Sequence, residues 1–331
     1  MWRILQKISK NLTLAIPAMM ALGFIYGISA PAAWLKNLII PFTFLMVYPM
    51  MVNLKIKTVF EGGDMKAQAI TQAINFGVIP FLAFGIGSLF FPDRPYMTLG
   101  LLLAGLVPTS GMTISWTGFA KGNMAAAVKM TVVGLIAGSL ATPLYVKALM
   151  GASIEVNILA VFKQIFFIVF LPMILGYLTQ RRLIAKYGQT EFKSRIAPRF
   201  PPLSTIGVLG IVFVALALKA GTIAESPGLL LVILLPIVVL YALNYLMSTL
   251  IGRAFLQRGD AIAMVYGSVM RNLSIALAIA MNAFGPEGSD AALIVAASYI
   301  VQVQSAAWYV KLTSVIFGRA DSGTEAAAAR T

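Results

Sequence analysis

Two basic side chains stand where apolar surroundings tolerate them least. Lys129, in NMAAAVKMTVVG, lies about a turn and a half into one apolar run, and Arg271, in VYGSVMRNLSIALAI, lies near the middle of another. A cation at mid-membrane costs at least ~2.5–3.5 kcal/mol on insertion scales, so such residues usually face a cavity and act on what occupies it. Snorkelling to the interface is the competing reading for Lys129, and the simple one for Lys163 and Lys311 near the ends of their runs. The acids offer no counterpart, since all eleven, from Glu61 to Glu325, fall in loops, at run ends or in the tail.

Beside these cations the apolar pattern is interrupted twice. In GLVPTSGMTISW, Pro108 removes a backbone donor and Gly111 eases non-helical dihedrals, while Thr109, Ser110, Thr113 and Ser115 supply hydroxyls for the freed backbone groups. In GSVMRNLS, Gly267, Ser268, Arg271, Asn272 and Ser274 are concentrated in the same way. A half-helix starting near Ser110 turns its positive dipole end toward the break. A plain proline kink is the alternative for the first interruption. Against it stands the pairing of two interruptions, the pattern that marks a transporter binding site. Gln72, Asn75, Asn244, Gln302, Gln304 and Ser305 are further polar residues in apolar runs, each either cavity lining or glue between helices.

The elements that hold these residues must be membrane helices. The 331 residues are 60% hydrophobic and 11% charged, with a mean hydropathy of +0.89, whereas soluble domains carry about 25% charged residues. Neither cysteine nor histidine is present, which excludes disulfides, thiolate metal sites, cysteine nucleophiles and imidazole relays. No metal or cofactor is called for. An intramembrane enzyme would lack its nucleophile, base or metal. The net charge of +14 sits in short loops, so it speaks for membrane orientation and not for nucleic acid.

Ten spans are read, at about 12–30, 34–54, 67–91, 95–120, 123–149, 156–180, 203–222, 227–252, 260–284 and 289–317. With both termini in the cytoplasm, seventeen basic residues fall inside, among them Arg3, Lys7, Lys10, Lys55, Lys57, Lys66, Arg319 and Arg330. Lys36, Arg94, Lys147 and Lys219 are the four left outside. The positive-inside rule is obeyed. The chain divides into residues 1–183 (five spans within 12–149 and a sixth at 156–180), a basic cytoplasmic loop at 184–202, the remaining spans in 203–319, and a disordered tail at 320–331. Five spans per half, with a boundary near Gly151, require the halves to enter the membrane in opposite senses, an inverted repeat. Both interruptions then fall in the fourth span of their half.

The stretches VPTSGMTISWTGFAKGNMAAAVKMT, Val107 to Thr131, and VMRNLSIALAIAMNAF around Asn272 resemble the bile acid/sodium symporter family, in the group that includes the arsenite-efflux permeases. The resemblance covers roughly 12–317. It implies a panel of spans 1, 2, 6 and 7 and a core of spans 3–5 and 8–10, with broken spans 4 and 9 crossing in the core and substrate between core and panel. By position Thr113, Thr131 and Asn75 match oxygen ligands of the sodium-coupled members. Ile114 and Ala127 fall where those members put oxygens, Gly267 where they put a key glutamate, and Arg271 where they put a glutamine. The resemblance thus implies that Lys129 and Arg271 either replace the sodium ions or bind substrate. Like the arsenite permeases, the chain carries an Arg–Asn pair in the ninth span. It lacks their cysteine, with Thr109 or Ser110 in that neighbourhood.

The expectation is a secondary transporter with alternating access in a bacterial or archaeal inner or plasma membrane, moving a small anionic solute without sodium. Arsenite or antimonite efflux without a thiol step is the alternative. A receptor would be expected to carry a signalling domain, for which the 331 residues leave no room. A channel would need a continuous pore lining in place of two interruptions. Substrate, direction and oligomeric state stay open, and the only other partner implied is membrane lipid.

Overall fold

Apolar runs of this length have no water to receive their backbone groups, so helix is the structure open to them. In the computed structural model the described residues, 5, 6, 8, 11–54, 64–107, 109–225 and 228–318, are predominantly helical and contain no strand. Pro108, the tail 320–331 and the basic residues Arg3, Lys7, Lys10, Lys55, Lys57, Arg319 and Arg330 lie outside the described residues.

The α-helices in chain order are α1 (Leu12–Ser29), α2 (Ile39–Val52), α3 (Met65–Gly77), α4 (Ile79–Phe90) and α5 (Pro95–Leu106). Then come α6 (Gly111–Phe119), α7 (Met124–Met150), α8 (Ile158–Ile165), α9 (Leu171–Glu191) and α10 (Phe200–Glu225). The last are α11 (Leu229–Phe255), α12 (Arg258–Val269), α13 (Leu273–Ala283) and α14 (Gly288–Phe317). Among the described residues six helical stretches are long and apolar enough to cross a membrane. The halves of the interrupted runs, α5/α6 and α12/α13, are each 12 residues or fewer.

Two groups of helices emerge from the packing. Helix α10 lies along α1 and α2, and α9 joins α2. The approach of α1 depends on Gly23 and Gly27, where a side chain would run into the carbonyls of Phe213 and Ala217 on α10, a small-xxx-small contact. In the second group α14 packs on α5, α11 and α13, and α12 on α3, α6, α7 and α11. The groups meet where α14 touches α1 and α10, and where α13 touches α2.

The basic segment at 184–202, read as a loop, is helical. Helix α9 continues to Glu191 with a bend at Gly188 (φ 80°, ψ 161°), and π and 3-10 turns carry the chain to α10. Glu191 and Arg195 pair at 3.1 Å one turn apart, a spacing that supports exposed helix.

Candidate functional site

The two interruptions meet. Leu106 ends α5, Leu273 begins α13, and between them the Asn272 N–H donates to the Val107 carbonyl at 2.8 Å. Every freed backbone group at this depth needs a partner, and the two breaks find theirs differently.

The first break is laced by hydroxyls. Thr109 has φ 63°, a left-handed conformation uncommon for a residue with a branched side chain, and its Oγ1 donates to the Thr131 carbonyl at 3.1 Å. Ser110 caps α6: its Oγ accepts from the Met112 N–H at 3.2 Å, and its own N–H donates to Thr113 Oγ1 at 3.3 Å. Thr113 Oγ1 in turn donates to the Tyr266 carbonyl at 3.4 Å, in the last turn of α12. Thr131 Oγ1 donates to Ala127 O at 2.8 Å and reaches Ser110 O at 3.5 Å.

The second break is laced by amides. The Asn75 Nδ2 donates to Gly267 O at 3.1 Å and the Asn244 Nδ2 to Ser268 O at 3.0 Å. The Arg271 N–H donates to Gln302 Oε1 at 2.8 Å, and Gln302 Nε2 donates back to Arg271 O at 3.2 Å. Asn272 caps α13 through its Oδ1, which accepts from the Ile275 N–H at 3.3 Å.

Against the crossing lies a cavity of about 430 Å³. Its crossing wall holds Ser110, Gly111, Thr131, Arg271, Asn272, Ser274 and Gln302. The facing wall, from the end of α2 and the start of α10, holds Met50, Met51, Leu54, Ser204, Thr205 and Val208. Arg271 is 3% exposed, and among the described residues none of its guanidinium nitrogens has a hydrogen-bond partner. A buried unpaired charge is strongly unfavourable.

The expected residues separate into three sets. Ser110, Gly111, Thr131, Arg271, Asn272 and Gln302 line the cavity; Thr109, Thr113 and Asn75 are buried behind it, holding backbone; Gln304 is part-exposed on α14 and does not line it. Lys129 departs most from the picture of paired cations. Its neighbours Val128, Thr131 and Val132 line the cavity and it does not; its Nζ lies 3.7 Å from Asp64 Oδ2. Asp64, which the sequence leaves in a loop, sits beside Asn123, whose Nδ2 donates to both Asp64 and Asp260 at 3.0 and 2.7 Å. Gly267 is packed, not open: a Cβ there would stand 2.8 Å from Met130 Sδ and 3.2 Å from Thr71 Cγ2. Sequence reasoning missed Tyr241, Tyr299 and the whole facing wall, whose Met, Ser, Thr and Val residues carry no signal distinct from packing.

The profile described as Sodium Bile acid symporter family matches residues 40–226, more than half of the chain. The uncharacterized protein YbaS of Bacillus subtilis is 25% identical over 207 residues, 62% of this chain and 66% of that protein. The arsenical-resistance protein Acr3 of Corynebacterium glutamicum is 19% identical over 261 residues, 74% of this chain and 70% of its own length. The uncharacterized sodium-dependent transporter YocS of Bacillus subtilis is 26% identical over 270 residues, 79% and 80% of the two chains. The match thus spans just under two thirds of the first of these relatives.

Proposed function

The chain belongs to the sodium bile acid symporter family, whose members are transporters and not enzymes, and from that premise we propose that it moves a small organic anion by alternating access, without sodium. The observation that carries the reading is Arg271: a residue 3% exposed that lines a cavity of about 430 Å³ and whose buried guanidinium nitrogens have no partner among the described residues. The N-terminus of α6 at Ser110–Gly111 adds a positive dipole end on the same wall. Ten spans in two inverted repeats of five, crossing at the two breaks, are the architecture this reading takes.

The case against sodium rests on donor chemistry. A hard cation wants several oxygens, preferably with negative charge. Position 267, where the resemblance puts a glutamate, is glycine pressed on the Met130 thioether, and Ile114 and Ala127 bring no oxygen. Thr113, Thr131 and Asn75 keep oxygens, but the charge of the glutamate is gone and the Arg271 guanidinium has been added.

Alternating access needs two states, and the helix groups are joined unevenly. The cavity reaches Asn53, Leu54 and Pro201, beside the helix ends that carry the excess of basic residues. Roughly 28 Å further along α10, Lys219 pairs with Asp290 of α14 at 2.9 Å. Asn282 of α13 donates to Thr43 of α2 at 3.1 Å, a second tie between the groups. This supports an inward-facing state, with both termini in the cytoplasm, whose opposite would break those two contacts.

Arsenite efflux is the second reading, favoured by the Acr3 relatives and by the Arg271–Asn272 pair. Arsenious acid is uncharged at neutral pH, so it would leave the guanidinium unmatched, and the hydroxyls of Thr109 and Ser110, in the neighbourhood of the missing thiol, are both engaged with backbone. The test is a thermal-shift screen of purified protein in detergent against small carboxylates, bile acids and arsenite, each with sodium or potassium at equal ionic strength. A saturable shift by one carboxylate, indifferent to sodium and lost in Arg271→Gln, is the expected result. A shift that requires sodium overturns the uncoupled reading, and a shift by arsenite alone puts the second reading first.

A further inference from the structure

A residue between two half-helices has a main-chain donor and acceptor that neither helix can take up. For Arg271 both are taken by one side chain: its N–H by Gln302 Oε1 at 2.8 Å and its carbonyl by Gln302 Nε2 at 3.2 Å. The primary amide presents one acceptor and one donor side by side, as a neighbouring strand would. That match holds in a single orientation, because a turned amide would set oxygen against carbonyl and N–H against N–H. The amide is also held from behind. With its oxygen selected by the Arg271 N–H, Gln302 Oε1 accepts a second bond, from the Tyr241 hydroxyl of α11 at 2.8 Å. Gln302 and Tyr241 are 1% and 4% exposed, so no water competes for these bonds.

From this chain of contacts we propose that Gln302 and Tyr241 are positioning residues of the anion site, with Tyr241 bracing the Gln302 amide in place and the amide fixing the backbone of Arg271 so that its guanidinium is left for ligand. The proposal rests on the reading of Arg271 as the anion receptor. Its physical content is a division of labour. The clamp consumes both main-chain groups of Arg271 and none of the three guanidinium nitrogens, which lack partners among the described residues. Tyr241 does not line the cavity, whereas Gln302 and Arg271 do. Tyr241 therefore acts only through Gln302, and its hydroxyl can be removed without touching a bound molecule.

The experiment compares octanoate with octanamide, which share an apolar chain and differ in charge, binding to purified full-length protein in detergent. Removing one buried donor is expected to weaken octanoate about tenfold in Tyr241→Phe, with octanamide binding and the melting temperature nearly unchanged. Gln302→Glu keeps the acceptors but cannot donate to the Arg271 carbonyl, and it sets a carboxylate beside the guanidinium; it is expected to abolish octanoate binding. Equal weakening of octanoate and octanamide in Tyr241→Phe would make the pair mere packing and overturn the proposal. So would unchanged octanoate binding in either variant while Arg271→Gln still loses it. If wild type and Arg271→Gln bind octanoate alike, or neither binds it, the anion reading itself falls and this proposal with it.

Discussion

The two breaks solve one problem with different chemistry. At the first, between α5 and α6, hydroxyls of Thr109, Ser110, Thr113 and Thr131 meet the freed groups, and these side chains bond largely to one another's backbone. At the second, between α12 and α13, three amides reach in from other helices: Asn75 from α3, Asn244 from α11 and Gln302 from α14. A hydroxyl serves its near neighbours on a short stem. An amide offers donor and acceptor on a longer one and can tie a break to a distant helix. The second break is therefore anchored from outside, without a hydrogen bond from the Arg271 guanidinium among the described residues. The first break carries no charge and presents only a helix end.

The sharpest way to break this comparison is at the free charge. Leu in place of Arg271 removes a buried cation that has no partner among the described residues. Hydrogen bonds to charged groups contribute ~1.5–3 kcal/mol, so carboxylate affinity should fall by about tenfold to a hundredfold. Replacing an uncompensated buried charge by an apolar residue commonly leaves stability unchanged or raises it. Thermal unfolding without ligand should thus show no loss in Arg271→Leu. A lower melting temperature in that variant would mean that Arg271 holds the crossing together and that the second break is not anchored from outside.

Much of this was legible, for reasons that mark the limits. Apolar runs of membrane length impose helix whatever their partners, and a cluster of Pro, Gly, Ser, Arg and Asn in such a run points to a break, whereas lone prolines such as Pro143 and Pro236 sit inside continuous helices. What joins the breaks was not legible. Gln302 lies 31 residues from Arg271, and Asn75 lies 192 from Gly267; no local pattern announces such partners. Asp64 at a run end looks like any interfacial acid, yet it lies 3.7 Å from Lys129, which does not line the cavity. The segment 184–202 reads as loop because it is basic and holds Gly188, whereas one bend at that glycine lets the helix continue.

Glycines sharpen the comparison, because each break has one. At Gly267 a Cβ would stand 2.8 Å from Met130 Sδ, with Thr71 close on the other side. Overpacking of this kind costs ~1–3 kcal/mol, and Gly267→Ala should lower the melting temperature by that measure. The methionine is flexible, so a combined Gly267→Ala and Met130→Ala variant should recover part of the loss. No recovery would show that the fault lies in the α12 backbone and not in the filled space.

Ser110 tests the capping of the first break. Its Oγ accepts from the Met112 N–H and its N–H completes a box with Thr113. Loss of a serine cap costs ~0.5–2 kcal/mol, and Ser110→Ala should fall near the middle of that range in thermal unfolding. Ser110→Asp should keep the cap but place a carboxylate on the cavity wall, leaving the melting temperature close to wild type while octanoate binding drops. If the aspartate variant binds octanoate normally, the anion does not approach α6.

The smallest expected effect on stability is the most telling for function. Gly111 begins α6, and a Cβ built there meets nothing within 4 Å; it would project into space beside the cavity that Gly111 lines. Gly111→Ala should therefore change stability by no more than ~0.5 kcal/mol, in contrast to Gly267→Ala. Its effect on octanoate decides whether the breaks act together. An anion resting on the N–H groups of α6 would be pushed away by the added methyl, and the affinity should fall by about threefold to tenfold, a loss of ~0.6–1.4 kcal/mol. Unchanged affinity would leave Arg271 as the sole anchor and reduce the first break to a scaffold, because a helix end that a methyl group can cover without consequence is not receiving charge.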